Sequence, residues 1–185
     1  MKTKVDIRTM VVAAMLCAIG IMIPMISPIK VIIEPASFTL ASHVAIFIAL
    51  FISPMTALFV ALGTTAGFFL AGFPPQVVLR ALSHVLFAVG GALYLAKRPE
   101  TMSKPVNMTV FGMILAVIHA VSEVLIVLPF YMSGTASSNT WYVLFGLVGL
   151  GTVVHSMIDY TLSIAVWKVV AKVSNVGMKR SNKAC

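Results

Sequence analysis

The sequence predicts an all-α integral membrane protein: a bundle of six transmembrane helices with both termini cytoplasmic. Three observations carry the prediction. The 185 residues are 60% hydrophobic and 10% charged, where soluble domains run at about 45–50% and about 25%, and the mean hydropathy is +1.05. Apolar runs near the span length of about 20 residues alternate with short, breaker-rich connections. Lys and Arg, finally, are divided unevenly between alternate connections.

Helix 1 is predicted over 8–27. Its apolar run is longer than a signal-peptide core, and no small-x-small cleavage pattern precedes the next hydrophobic segment, so a retained helix is expected. The segment 28–35, opened by Pro28 and closed by Glu34-Pro35, breaks it. Helix 2 is predicted over 36–52, and Ser53-Pro54 makes a tight turn into helix 3 at 55–71. Gly72-Phe73-Pro74-Pro75-Gln76 forms a rigid turn, with Pro75 suited to the first position of helix 4 (77–96). The charged loop Lys97 to Pro105 leads into helix 5 (107–131). An uncharged polar loop around Ser133 to Thr140 precedes helix 6 (141–173), and a basic tail follows. Residues 1–185 are thus expected to form one transmembrane domain. No segment is long or polar enough for a soluble ATPase, so any energy-consuming step falls to a partner.

The net charge of +8 is a topology signal. Six spans place Lys2, Lys4, Arg8, Lys97, Arg98, Lys104, Lys168, Lys172, Lys179, Arg180 and Lys183 on the side of the termini, against Lys30 and Arg80 on the other. That is the positive-inside distribution, and no nucleic-acid partner is expected. Cys17 and Cys185 give neither a disulfide framework nor metal-ligand spacing. Small residues lie four apart on helix 1 (Ala14 and Ala18; Ala13 and Cys17) and, as GxxxG, on helix 3 (Gly63 and Gly67). Such faces let another helix backbone approach closely. On helix 3 internal packing is the expected use; on helix 1 internal packing and a partner-facing role both fit.

Ionisable groups at bilayer depth cost at least about 2.5–3.5 kcal/mol each and face a protein interior or cavity. Helical spacing puts Arg80, Ser83, His84 and Phe87 on one face of helix 4, and His119, Ser122 and Glu123 on one face of helix 5. Helix 6 carries the stripe Thr152, His155, Ser156, Asp159 and Ser163, and helix 2 contributes Ser42 and His43. Most of these groups fall in the outer half, as a ligand cavity open to the outside requires. Arg80, His84 and Glu123 are assigned to ligand contact, His155 and Asp159 to a structural pair, and His43 and His119 to either. Asn139 and Trp141 on the last outer loop could read a ring's edge and stack on its face, although Trp141 suits an interfacial aromatic belt equally.

Missing motifs exclude several classes. No second histidine completes HExxH, no GxSxG occurs and no Walker sequence is present, so zinc proteases, serine hydrolases and ATPases lack their machinery. No cofactor and no metal are expected. Two readings remain from the residues alone: a binding and transport subunit, and a polytopic membrane enzyme using His119/Glu123 and His155/Asp159, with a metal as an option. A stand-alone carrier would show an internal repeat and broken central helices.

The whole chain resembles the S components of energy-coupling factor (ECF) vitamin transporters. The resemblance rests on six short helices, Ala14-xxx-Ala18, and the Pro-rich outer loops after helices 1 and 3. The runs Glu34-Pro-Ala-Ser-Phe-Thr-Leu-Ala-Ser-His43 and Ala71-Gly-Phe-Pro-Pro-Gln-Val-Val-Leu-Arg80-Ala-Leu-Ser-His84 complete it. It implies capture of a water-soluble vitamin from outside by helices 4 to 6 and the outer loops, without catalysis. Ala14 and Ala18 would dock a membrane coupling subunit seated on two ATPases, and the S component would topple to carry its ligand inward. Arg80, His84, Glu123, Asn139 and Trp141 would lie near the ligand. A bacterial plasma membrane is the implied location. For substrate, the resemblance leans toward hydroxymethylpyrimidine or pyridoxine, with pantothenate or niacin next. The paired Arg80 and His84 suit a carboxylate, and Glu123 suits a protonated or hydroxylated ring.

Overall fold

A computed structural model describes residues 7–33, 36–132 and 139–174, with side chains described for 7–29, 38–132 and 139–169. Lys2, Lys4, Glu34, Pro35, the loop 133–138 and the basic tail with Lys179, Arg180, Lys183 and Cys185 lie outside the described residues. Six helices are described: α1 (Ile7–Ile26), α2 (Val44–Ile52), α3 (Pro54–Leu70), α4 (Pro75–Lys97), α5 (Pro105–Met132) and α6 (Gly151–Ser174). A 3-10 turn, Pro99–Ser103, joins α4 to α5, and a π-helical stretch, Tyr142–Leu150, runs into α6. The stretches Ile7–Ile26, Pro75–Lys97, Pro105–Met132 and Tyr142–Val169 are long and apolar enough to cross a membrane. The protein is an all-α membrane protein.

One predicted span is corrected. Residues 36–43 do not open helix 2; Ala36–Thr39 (β2) pairs antiparallel with Lys30–Ile33 (β1), Lys30 opposite Thr39 and Ile33 opposite Ala36. The Ser42 N–H donates to Thr39 O at 3.1 Å across a tight turn, with Ala41 at φ 67°, a left-handed conformation that costs a residue with a Cβ. α2 is therefore only nine residues, about 13 Å at 1.5 Å per residue, less than half the bilayer core of about 30 Å. The hairpin occupies the rest of its path. Backbone without helical hydrogen bonds is tolerated at membrane depth only where protein supplies the partners, and Asp159 of α6 does so. Its Oδ1 accepts the Ala41 N–H at 2.8 Å and its Oδ2 accepts the His43 N–H at 2.9 Å. The turn that follows the strand is thus held by a carboxylate more than a hundred positions away.

Local chemistry explains the other boundaries. Ser53 caps α3, its Oγ accepting the Thr56 N–H at 3.1 Å, with Pro54 at the first helical position. Gly72, at φ 76°, turns the chain after α3, and α4 starts at Pro75 as its fixed φ favours. Gly63 and Gly67 of α3 face Cys17 and Ile21 of α1 so closely that a Cβ at either would collide. The GxxxG face thus serves internal packing. On α1, Ala13, Leu16 and Gly20 are buried, while Ala14 and Ala18 point outward and are exposed.

α2 is buried from Ala45 to Ile52 and packs against α1, α3, α4 and α6. Apolar on every side, it is a central helix. Around it lie Phe87, Leu95, Phe111, Leu115 and Tyr160. The Tyr160 hydroxyl donates to Met108 O at 3.0 Å, and its ring fills the space left by Gly112. The end beneath the hairpin is polar. Outward-facing Met10, Phe59, Leu86, Ile114, Val121 and Phe145 give the bundle an apolar exterior, as lipid contact requires.

Candidate ligand-binding site

A cavity lies at the N-terminal end of α2. It measures about 90 Å³ and is walled on its apolar side by Pro24, Phe38, Phe68, Phe73 and Val77. Its polar side is made by Ser42 and His43 before α2, Arg80 and His84 on α4, Glu123 on α5, and Thr152 and His155 on α6. The glycine at position 151 lets the Phe38 ring lie against the start of α6, which closes the hairpin over the wall. Residues of α1, β2, α3, α4, α5 and α6 therefore meet at one short gap in the bundle.

Glu123 organises the polar side. It is 2% exposed, and a buried carboxylate is tolerable only when paired and hydrogen-bonded. Arg80 Nη2 donates to Glu123 Oε2 at 2.9 Å, and Thr152 Oγ1 donates to the same oxygen at 2.7 Å. Oε1 lies 3.5 Å from His84 Nε2 and 3.4 Å from His119 Nε2. The Arg80 guanidinium spends one donor on Glu123, and its buried Nε has no hydrogen-bond partner among the described residues. A fixed cation beside the cavity with donors to spare suits an incoming anion.

Asp159 organises the second polar group. Beyond the two backbone N–H groups, its Oδ2 lies 3.1 Å from His43 Nδ1 and 3.4 Å from His155 Nε2. Ser42 Oγ sits 3.2 Å from His43 Nδ1 and 3.1 Å from His155 Nε2. All four histidines of the chain converge: His43 has ring centroids 4.7 Å from His84, 4.7 Å from His119 and 5.0 Å from His155.

Of the residues singled out from sequence, Arg80, His84, Glu123 and His43 line the cavity, and His119 lies fully buried behind His84 and Glu123. Asn139 and Trp141 stand apart. Both are exposed, and Trp141 stacks on Phe145 at 5.7 Å rather than lining the cavity. His155, assigned from sequence to a structural pair, also lines the cavity. The sequence reading missed Thr152 as the partner of Glu123, although it stands one turn before His155 on the same stripe. It also missed the wall residues Pro24, Phe38, Phe68, Phe73 and Val77, which carry no signal beyond hydrophobicity.

An apolar helix bundle with a small, charged cavity at one end defines a membrane-embedded binding protein for a polar solute. The chain matches no family model and no solved structure. Over 171 residues, 91% of this chain and 77% of the relative, it is 44% identical to the niacin transporter NiaX of Lactococcus lactis subsp. cremoris (strain MG1363). The chain belongs to the S components of ECF vitamin transporters, and it is a transport protein rather than an enzyme. The membrane-enzyme reading of the His-acid pairs is thereby overturned. The lean toward hydroxymethylpyrimidine or pyridoxine finds no support in this relative, which transports niacin.

Proposed function

We propose that this chain captures niacin, pyridine-3-carboxylate, from the outer face of a bacterial plasma membrane and delivers it to an ATP-driven coupling complex. The observation that carries the reading is Arg80, pinned by Glu123 at 2.9 Å yet retaining an unpartnered Nε beside a cavity of about 90 Å³. The carboxylate of the vitamin pairs with Arg80, a charge-assisted bond worth about 1.5–3 kcal/mol. Its flat ring packs against the apolar wall of Phe38, Phe68 and Phe73, and its ring nitrogen accepts a hydrogen bond from an imidazole N–H or the Ser42 hydroxyl on the polar side. Glu123 and Thr152 hold the guanidinium in place. The 44% identity to a niacin transporter supports the same vitamin.

In this reading both termini are cytoplasmic and the cavity opens outward. The exposed Ala14 and Ala18 on α1 dock the membrane coupling subunit, which sits on two ATPase subunits. Asn139 and Trp141 act at the rim. Calorimetry in nanodiscs with nicotinate, nicotinamide, hydroxymethylpyrimidine, pyridoxine and pantothenate tests it. Nicotinate should bind tightest, nicotinamide weaker for want of the negative charge, and Arg80→Gln should lose at least about tenfold in nicotinate affinity, since 1.4 kcal/mol is a factor of ten. Tight binding of hydroxymethylpyrimidine or pyridoxine with no response to nicotinate would overturn it.

A further inference from the structure

Beside the cavity stand three imidazoles whose arrangement exceeds what an anion-binding pocket uses. His43, His84 and His119 are each less than a tenth exposed, and every pair of ring centroids is 4.7 Å apart and edge-on. One ring nitrogen of each lies within 4.8 Å of the other two.

Each ring has one nitrogen engaged by a neighbour and the other left over. His43 Nδ1 faces Asp159 Oδ2 at 3.1 Å, leaving Nε2. His119 Nδ1 faces Ser156 Oγ at 3.2 Å, leaving Nε2. His84 Nε2 faces Glu123 Oε1 at 3.5 Å, leaving Nδ1. The leftover atoms His84 Nδ1 and His119 Nε2 are buried without a hydrogen-bond partner, a situation that costs about 1–3 kcal/mol per group when nothing fills it. His119 Nε2 is 3.4 Å from Glu123 Oε1 but off the line of a hydrogen bond. Histidines that ligate metals are held in this way, their second nitrogen bound to a carboxylate or other acceptor that fixes the ring and its tautomer.

We propose that His43 Nε2, His84 Nδ1 and His119 Nε2 bind one divalent transition-metal ion of the zinc type. Three neutral imidazoles suit zinc and its neighbours, whereas magnesium and calcium demand oxygen ligands. Three protein ligands leave a fourth position open, and two of the three histidines line the cavity. Beside the rings the Glu123 carboxylate balances Arg80, and the Asp159 carboxylate, 3.1 Å from His43 Nδ1, offsets part of the charge of a dication. The other candidate set, His43 with His155 and Asp159, is weaker, because both Asp159 oxygens already serve Ala41 and His43. The metal site stands on the imidazoles alone and holds whichever vitamin the cavity takes.

The test uses the full chain in nanodiscs, stripped with chelator, equilibrated with zinc and washed. Elemental analysis should find about one zinc per chain, and cobalt substitution should give the visible absorption of a tetrahedral nitrogen site. Cys17→Ser and Cys185→Ser should retain the metal. His84→Gln and His119→Gln should lose it, and Ser156→Ala should bind zinc about 10–100-fold more weakly through the loosened His119 ring. Thermal unfolding identifies which variants fold, and Ser156→Ala supplies the comparison if a histidine variant does not. A folded wild-type chain with no stoichiometric zinc and no cobalt spectrum would overturn the proposal, as would full retention of metal by both histidine variants.

Discussion

Replacing Asp159 with Asn tests whether a single carboxylate holds the hairpin and α2 in place. Asp159 is completely buried, and its two oxygens accept Ala41 N–H at 2.8 Å, His43 N–H at 2.9 Å and the His43 side chain at 3.1 Å. An Asn keeps one acceptor and turns the other position into a donor. The least damaging orientation keeps the pair of contacts to His43 and points the amide NH2 at the Ala41 N–H, leaving both groups unsatisfied. Loss of one charge-assisted bond is worth about 1.5–3 kcal/mol, and an orphaned buried N–H costs about 1–3 kcal/mol. The expected destabilisation is thus about 4 kcal/mol, in the range for breaking a buried ionic contact. At roughly 2–4 °C per kcal/mol for a chain of this size, thermal unfolding in detergent should fall by about 10 °C. Nicotinate binding should weaken with it, because Ser42 and His43 are delivered to the cavity by the same turn. An Asn variant that melts within 2 °C of the parent, roughly the shift expected from less than 1 kcal/mol, would show that the hairpin is held by packing and that the carboxylate is incidental.

Three further outcomes are expected. Thr152→Val removes the 2.7 Å donor to Glu123 and should weaken nicotinate binding about tenfold through a less firmly held Arg80, roughly the 1–1.5 kcal/mol of one hydrogen bond; titration calorimetry measures it. Ala14→Trp, on an exposed face, should abolish co-purification with the coupling subunit while leaving vitamin affinity unchanged, and persistent co-purification would remove α1 from the docking surface. Gly112→Val drives a side chain into the Tyr160 ring and should lower stability by about 1–3 kcal/mol, the usual cost of overpacking, read as a lower unfolding temperature.

Most of the helical framework was legible because apolar runs, prolines and charged loops are local signals. Ser53-Pro54 and Pro74-Pro75 announced two helix starts within a residue or two. Segment 36–43 was not legible, since Ala-Ser-Phe-Thr mixes helix- and strand-favouring residues, its pairing is with 30–33, and the turn after it is held by Asp159 from far along the chain. The polar residues that line the cavity stood out because an ionisable side chain in an apolar helix is conspicuous. Their grouping was only half visible. Periodicity gives the face of each helix but not the rotation of one helix against another, so the convergence of four histidines and the distance of Asn139 and Trp141 from the cavity emerged only from packing.

The brevity of α2 has a consequence for how a solute could cross. Below the cavity Phe47, Phe51, Phe87 and Tyr160 close the middle of the bundle, all but sealed from solvent. Protein interiors of this kind are as dense as organic crystals, so a passage through them would require α2 to part from four neighbouring helices at once. A molecule that enters from the hairpin end has no way on through the floor. In the proposed reading, release on the far side therefore calls for movement of the chain itself rather than a passage through this floor.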